Sequence, residues 1–82
     1  MEEEIKCYGI EAVKEGNKWR TSLFIRPFKT RDLGELDKIE IENGNIKNIR
    51  ILDDRISIIG KFSCKIKEEE NWEELSCKYY KT

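Results

Sequence analysis

The chain contains no histidine, and that removes the usual general base, the usual member of a nucleophilic triad and the commonest metal ligand in one step. Its three cysteines, Cys7, Cys64 and Cys77, are an odd number without CxxC spacing, so neither a disulfide framework nor a zinc site is indicated. There is no glycine-rich phosphate loop and no calcium-loop spacing of oxygen ligands around a glycine. No apolar run approaches 18 residues, which excludes a membrane-spanning helix. The start, Met1-Glu2-Glu3-Glu4, is acidic and lacks the basic-then-apolar order of a signal peptide, so a cytoplasmic location is expected. No cofactor and no metal are expected, and no enzyme.

What remains is a thin apolar set in a charged chain. Charged residues are 40% of 82, against about 25% in ordinary domains. Ile, Leu, Val and Phe together make 21 residues, which clears the level of roughly 20% below which disorder is expected. The length allows one domain, residues 1–82, near the lower limit for a self-sufficient core. The formal charge of −1 conceals a partition: successive blocks 1–13, 14–31, 32–45, 46–67 and 68–82 carry −3, +5, −4, +4 and −3. Facing strands with complementary charges are the simplest reading of this alternation.

Ile, Phe, Trp and Tyr recur with period two between turn signals, which points to strands. Gly16-Asn17 predicts a hairpin that sets Ala12 against Thr21, Ile10 against Leu23 and Tyr8 against Ile25 on an apolar face. The other face pairs Val13 with Arg20, Glu11 with Ser22, Gly9 with Phe24, Cys7 with Arg26 and Ile5 with Phe28. A ring crossing a strand glycine, as at Gly9 and Phe24, covers bare backbone. Asn43-Gly44 predicts a type I′ hairpin between 38–42 and 45–51, with a bulge near Lys47-Asn48. Asp53-Asp54 predicts a third turn, pairing Ile51 with Ile56 and Ile49 with Ile58. A long fifth strand, bending at Gly60, faces Ile56, Ile58, Phe62, Cys64 and Ile66 inward. It returns through a hairpin over 68–73 that pairs Phe62 with Tyr79, Cys64 with Cys77 and Ile66 with Leu75, or through a helical turn there. Cys64 and Cys77 read as facing core thiols, since a disulfide is unexpected in a reducing compartment. Residues 29–37 read as a link with a helical turn over 32–35. The sum is an all-β fold, a six-stranded antiparallel meander curled into a small barrel or compact sandwich.

Two features rise above the background. Strand two presents Lys18, Arg20, Ser22, Phe24, Arg26 and Phe28 outward, continued by Lys29 and Arg31, with Trp19, Thr21, Leu23 and Ile25 inward. Rings interleaved with cations are what single-stranded nucleic acid binding uses, and they also suit a protein-binding face. The second feature is Trp72 in an acidic loop with Glu68–Glu70, Glu73 and Glu74, fit either to anchor a basic partner or to cap the open end of a barrel. Paired carboxylates held across a cleft, as acid–base chemistry needs, do not occur in such solvated runs. The expectation is a small non-catalytic interaction protein that binds another protein. Size and absent motifs alone liken it to accessory or inhibitor chains of phage or mobile-element type. The alternative is a single-stranded nucleic-acid binder using Arg20, Phe24, Arg26, Phe28, Lys29 and Arg31. Pro27 places the end of strand two at an edge or outside the sheet, where homodimerisation by strand addition is open to it.

Overall fold

The structure is a computed structural model that describes residues 2–42 and 54–80. Its strands are β1 (Glu2–Glu15), β2 (Lys18–Arg26), β3 (Lys29–Leu36), β4 (Lys38–Glu42), β5 (Arg55–Glu69) and β6 (Trp72–Tyr80). They form one mixed sheet in the order β3-β2-β1-β5-β6-β4, with no helix among the described residues. Among the described residues, no helix is therefore long and apolar enough to cross a membrane.

The Gly16-Asn17 turn forms as its sequence dictates, with Gly16 at a φ of 65°. It sets the predicted register of Ile10↔Leu23, Glu11↔Ser22, Ala12↔Thr21 and Val13↔Arg20. Toward the start of β1 the expected pattern fails. Ile5 and Cys7 are buried while Tyr8 is 53% exposed, the reverse of the apolar face predicted to carry Tyr8 with Ile10. The cause is a register shift against β5. Cys7 faces Phe62 and Gly9 faces Ile59, so Gly60 and Lys61 together stand against Tyr8. An extra residue in one strand of a pair is a β-bulge, and it changes which side chains point inward. Gly60, where a bend was expected, lies within this bulge. The β1–β2 ladder ends at Ile10↔Leu23, so Gly9–Phe24, Tyr8–Ile25, Cys7–Arg26 and Ile5–Phe28 are not among its pairs.

Residues 29–36 of the expected link form strand β3, with no helical turn. Pro27-Phe28 closes a tight hairpin, with Phe28 at a φ of 67°, so β2 ends at Arg26 and Pro27 leaves the sheet in a turn. The segment read as helical is a second bulge. Thr21 faces Gly34 and Ser22 faces Asp32, which leaves Leu33 extra. Gly34 sits at a φ of 75°, and its N–H donates to Asp32 Oδ1 at 2.8 Å. Such a local side-chain turn uses Asp and Gly in the same order as a helix end, but here within a strand.

β3 and β4 are the two edges of the sheet, yet only Asp37 separates them in the chain. The chain leaves β2 and continues directly into parallel pairing with β6, setting Ile39 against Leu75 and Ile41 against Cys77. The sheet is thus mixed rather than a purely antiparallel meander, and it curls without closing. Asp37 ties the joint. Its N–H donates to Glu73 O at 2.8 Å, its carboxylate accepts from the Glu73 N–H at 2.7 Å, and Lys18 pairs with the other carboxylate oxygen.

The β5–β6 hairpin has the predicted register throughout, from Lys61↔Tyr80 to Lys67↔Glu74, and turns at Glu70-Asn71 instead of through a helical turn. Cys64 and Cys77 are directly opposed with their Cα atoms 4.0 Å apart, and they form a disulfide instead of the expected pair of thiols. Direct opposition on the inner face brings the sulfurs together. Around them the core collects Ile10, Leu23, Leu36, Phe62 and Leu75, all at most 2% exposed. Buried Thr21 donates its hydroxyl to Trp19 O. The expected Asn43-Gly44 hairpin, the strand at 45–51 with its bulge, and the pairs Ile51–Ile56 and Ile49–Ile58 lie outside the described residues. Ile56 and Ile58 face Ala12 and Ile10 of β1.

Candidate functional site

The alternation of β2 sends Thr21 and Leu23 into the core and Arg20, Phe24 and Arg26 to the other side, as read from the sequence. The seven singled-out residues then separate. Arg20 is held by carboxylates, its Nε 3.4 Å from Glu15 and a terminal nitrogen 4.0 Å from Glu35. Arg31 grips Glu3 with two bonds of 2.9 and 3.0 Å. That hydrogen bonding holds the Glu3 carboxyl below its ordinary pKa and the guanidinium above its own. Both arginines therefore have their charge answered on the protein itself. Lys29 is exposed and stands opposite Arg26 in the hairpin.

Phe24, Arg26 and Phe28 come together, and Tyr8 and Pro27 join them around an open cavity of about 760 Å³. The Phe24 ring covers Gly9 as expected: a Cβ on Gly9 would lie 2.6 Å from Phe24 Cδ2 and 3.2 Å from Ile59 Cδ1. Only glycine lets the ring settle there. Tyr8 also lines a neighbouring cavity of about 480 Å³ with Glu4, Lys6, Lys61 and Tyr80. The face thus runs across β2, β1, β5 and β6. Lys78 extends it, with Nζ 6.0 Å from the centre of the Tyr80 ring.

Tyr8, Lys6, Ile59, Lys61, Lys78 and Tyr80 were not singled out in the sequence. Tyr8 was assigned inward because the bulge was not foreseen. Lys61 and Lys78 stand opposite Tyr80 and Ser63 on the outer face of the β5–β6 hairpin, which alternation alone marks only as mostly polar.

Trp72 is elsewhere. It is 42% exposed beside the Glu70-Asn71 turn, and it lines a separate cavity with Glu68, Glu69 and Glu73. The Lys18–Asp37 pair borders the same cavity. The Lys18 hydrogen bond, helped by the Glu73 N–H, holds the Asp37 carboxyl below its ordinary pKa and raises that of Lys18. The cavity beside Trp72 and the one beside Phe28 have no lining residue in common among the described residues.

Cys7 is buried on the inner face and does not pair with Arg26, which is exposed. Burial pushes its thiol up from the ordinary value, against the Gly9 N–H, so it stays protonated. Among the described residues, no three Cys, Asp or Glu side chains are grouped to hold a metal ion. No protein family profile, curated protein or solved structure matches the chain.

Proposed function

We propose that the protein is a small non-catalytic interaction protein, of accessory or inhibitor type, that docks on a macromolecular partner through the outer face of β2 and β1. The observation that carries this reading is Phe28. It is fully exposed (108%) and sits at a φ of 67°, a conformation in which glycine or asparagine is favoured. An L residue there costs about 1–2 kcal/mol, and this ring recovers none of it by burial. Strain without a folding return is characteristic of residues kept for function. Its neighbours Phe24, Tyr8 and Arg26 are of the residue types that dominate docking surfaces. The inert, inward Cys7 and the lack of histidine support a role without catalysis. A cytoplasmic setting belongs to the same proposal, with Cys64 and Cys77 shielded from reductants by burial.

The test is a photo-crosslinking phenylalanine analogue at position 28 in the native host, with the same analogue at exposed Glu70, in the turn beside Trp72, as control. Docking through this face gives adducts at 28 and none at 70. Absence of adducts at 28 refutes the reading.

A further inference from the structure

We propose that the partner of this face is single-stranded nucleic acid, bound without strong sequence preference; this rests on the docking reading above and names its ligand. Four rings, Phe28, Phe24, Tyr8 and Tyr80, are distributed across the sheet rather than along one strand. With strands about 4.8 Å apart, Tyr8 on β1 and Tyr80 on β6 stand roughly two strand spacings from one another. A polymer crossing the strands meets the rings in succession.

Four cations interleave with them: Arg26, Lys6, Lys61 and Lys78. Among the described residues, none of the four has a carboxylate within 4.0 Å, in contrast to Arg20 and Arg31. Glu4 is the one acidic side chain lining the two cavities, and its carboxylate accepts from Ser63 Oγ at 2.9 Å. A chain of net charge −1 therefore concentrates positive charge on the face where its rings are exposed.

This composition separates two kinds of partner. Protein interfaces are enriched in aromatic residues and arginine but depleted in lysine. Three of the four cations here are lysines. Single-strand binding uses aromatic platforms for the bases and mobile cations for the phosphates. Among the described residues the two cavities are lined by no asparagine or glutamine that could read base edges, which is why sequence tolerance is expected.

The experiment is fluorescence anisotropy of the full chain with a labelled oligothymidylate of about 12 nucleotides, a length within single-strand site sizes. Saturable binding is expected at about 50 mM salt. If all four cations meet phosphates, the log–log salt slope is about −2.8, a roughly fifty-fold loss between about 50 and 200 mM. Phe28→Ala and Tyr80→Ala each weaken binding by about five- to 150-fold, the loss of one stacking platform. Lys61→Ala reduces the slope by about 0.7. Phe28→Leu fails like Phe28→Ala, because leucine is apolar but cannot stack. Thermal melting of Phe28→Ala is unchanged, since the side chain touches no core. No saturable binding at low salt overturns the proposal. So does equal affinity for a blunt duplex or for polyglutamate, because neither offers stackable bases. Nuclease-resistant protein adducts at position 28, without oligonucleotide binding, would overturn the nucleic-acid proposal and leave the docking reading intact.

Discussion

Reducing Cys64–Cys77 removes one bond and leaves every side chain of the core in place, so its effect on stability can be worked out before it is measured. The two cysteines are 13 residues apart in the chain. Closing a loop of that length in the unfolded chain corresponds to about 3 kcal/mol at room temperature. A domain of 82 residues has a net stability of roughly 4–12 kcal/mol, so the bond supplies a large fraction of it. At about 2.1 cal/mol/K per residue the unfolding entropy is about 170 cal/mol/K, and the loss lowers Tm by about 17 °C. The two thiols left behind remain opposed in the Cys64↔Cys77 register, so no cavity adds to this figure. The assay is thermal unfolding by circular dichroism with and without a phosphine reductant, complete reduction being verified by mass after alkylation of the unfolded chain. A Cys64→Ala/Cys77→Ala double variant provides the reference and must be insensitive to reductant. A Tm that shifts by less than about 3 °C on full reduction would refute the reasoning, because the bond would then contribute almost nothing beyond the strand pairing around it.

Phe28→Gly should stabilise the fold by about 0.5–1 kcal/mol, the relief of the left-handed conformation less the extra flexibility of an unfolded glycine. Urea unfolding measures this, and the same variant should lose crosslinking and oligonucleotide binding; a less stable variant would show that Phe28 supports the fold. The Lys18–Asp37 pair sets a pH dependence at the β3–β4 joint. The Asp37 pKa is lowered by Lys18 and by the Glu73 N–H, so its contribution is present above the unfolded carboxylate value and lost as pH falls through the folded one. Lys18, raised mainly by Asp37, contributes below the unfolded lysine value and loses it as pH rises through the folded one. Asp37→Asn should therefore be less stable than the parent at neutral pH and flatter on the acid side. Urea midpoints across pH 2–7 test this, and parallel curves for the two proteins would rule the pair out as a source of acid sensitivity.

Where the order of residues and the period-two pattern act alone, they determine the outcome. The β5–β6 hairpin is legible pair by pair because any slip of one residue would send Phe62, Cys64 and Ile66 to the solvent side. The Gly16-Asn17 hairpin is legible for the same reason as far as Ile10. What is not legible is any place where backbone pairing inserts a residue. At Tyr8, the bulge that turns the ring outward is made on β5, some fifty positions away in the chain. At Leu33, Asp and Gly serve a bulge as readily as a helix end. The joint at Asp37 is hidden for another reason, since a strand that changes partners carries the same alternation before and after the change.

These failures bear directly on the candidate site. The sequence singled out Arg20 and Arg31 because cations on one strand look alike, and only folding shows that Glu15 and Glu3 claim them. It passed over Tyr8, which the bulge at Gly60 and Lys61 turns outward beside Phe24, and with it Lys6 and Lys61, which line the adjoining cavity with Tyr8. Phe28, read on the outward face of strand two opposite Ile5, lies instead in the turn after β2 and is fully exposed. A phenylalanine directly after proline, in a turn that favours glycine, contradicts local preference in the sequence and stays unburied in the fold. Where local preference and burial both argue against a residue, neither accounts for its presence, and what remains is contact with something outside the chain.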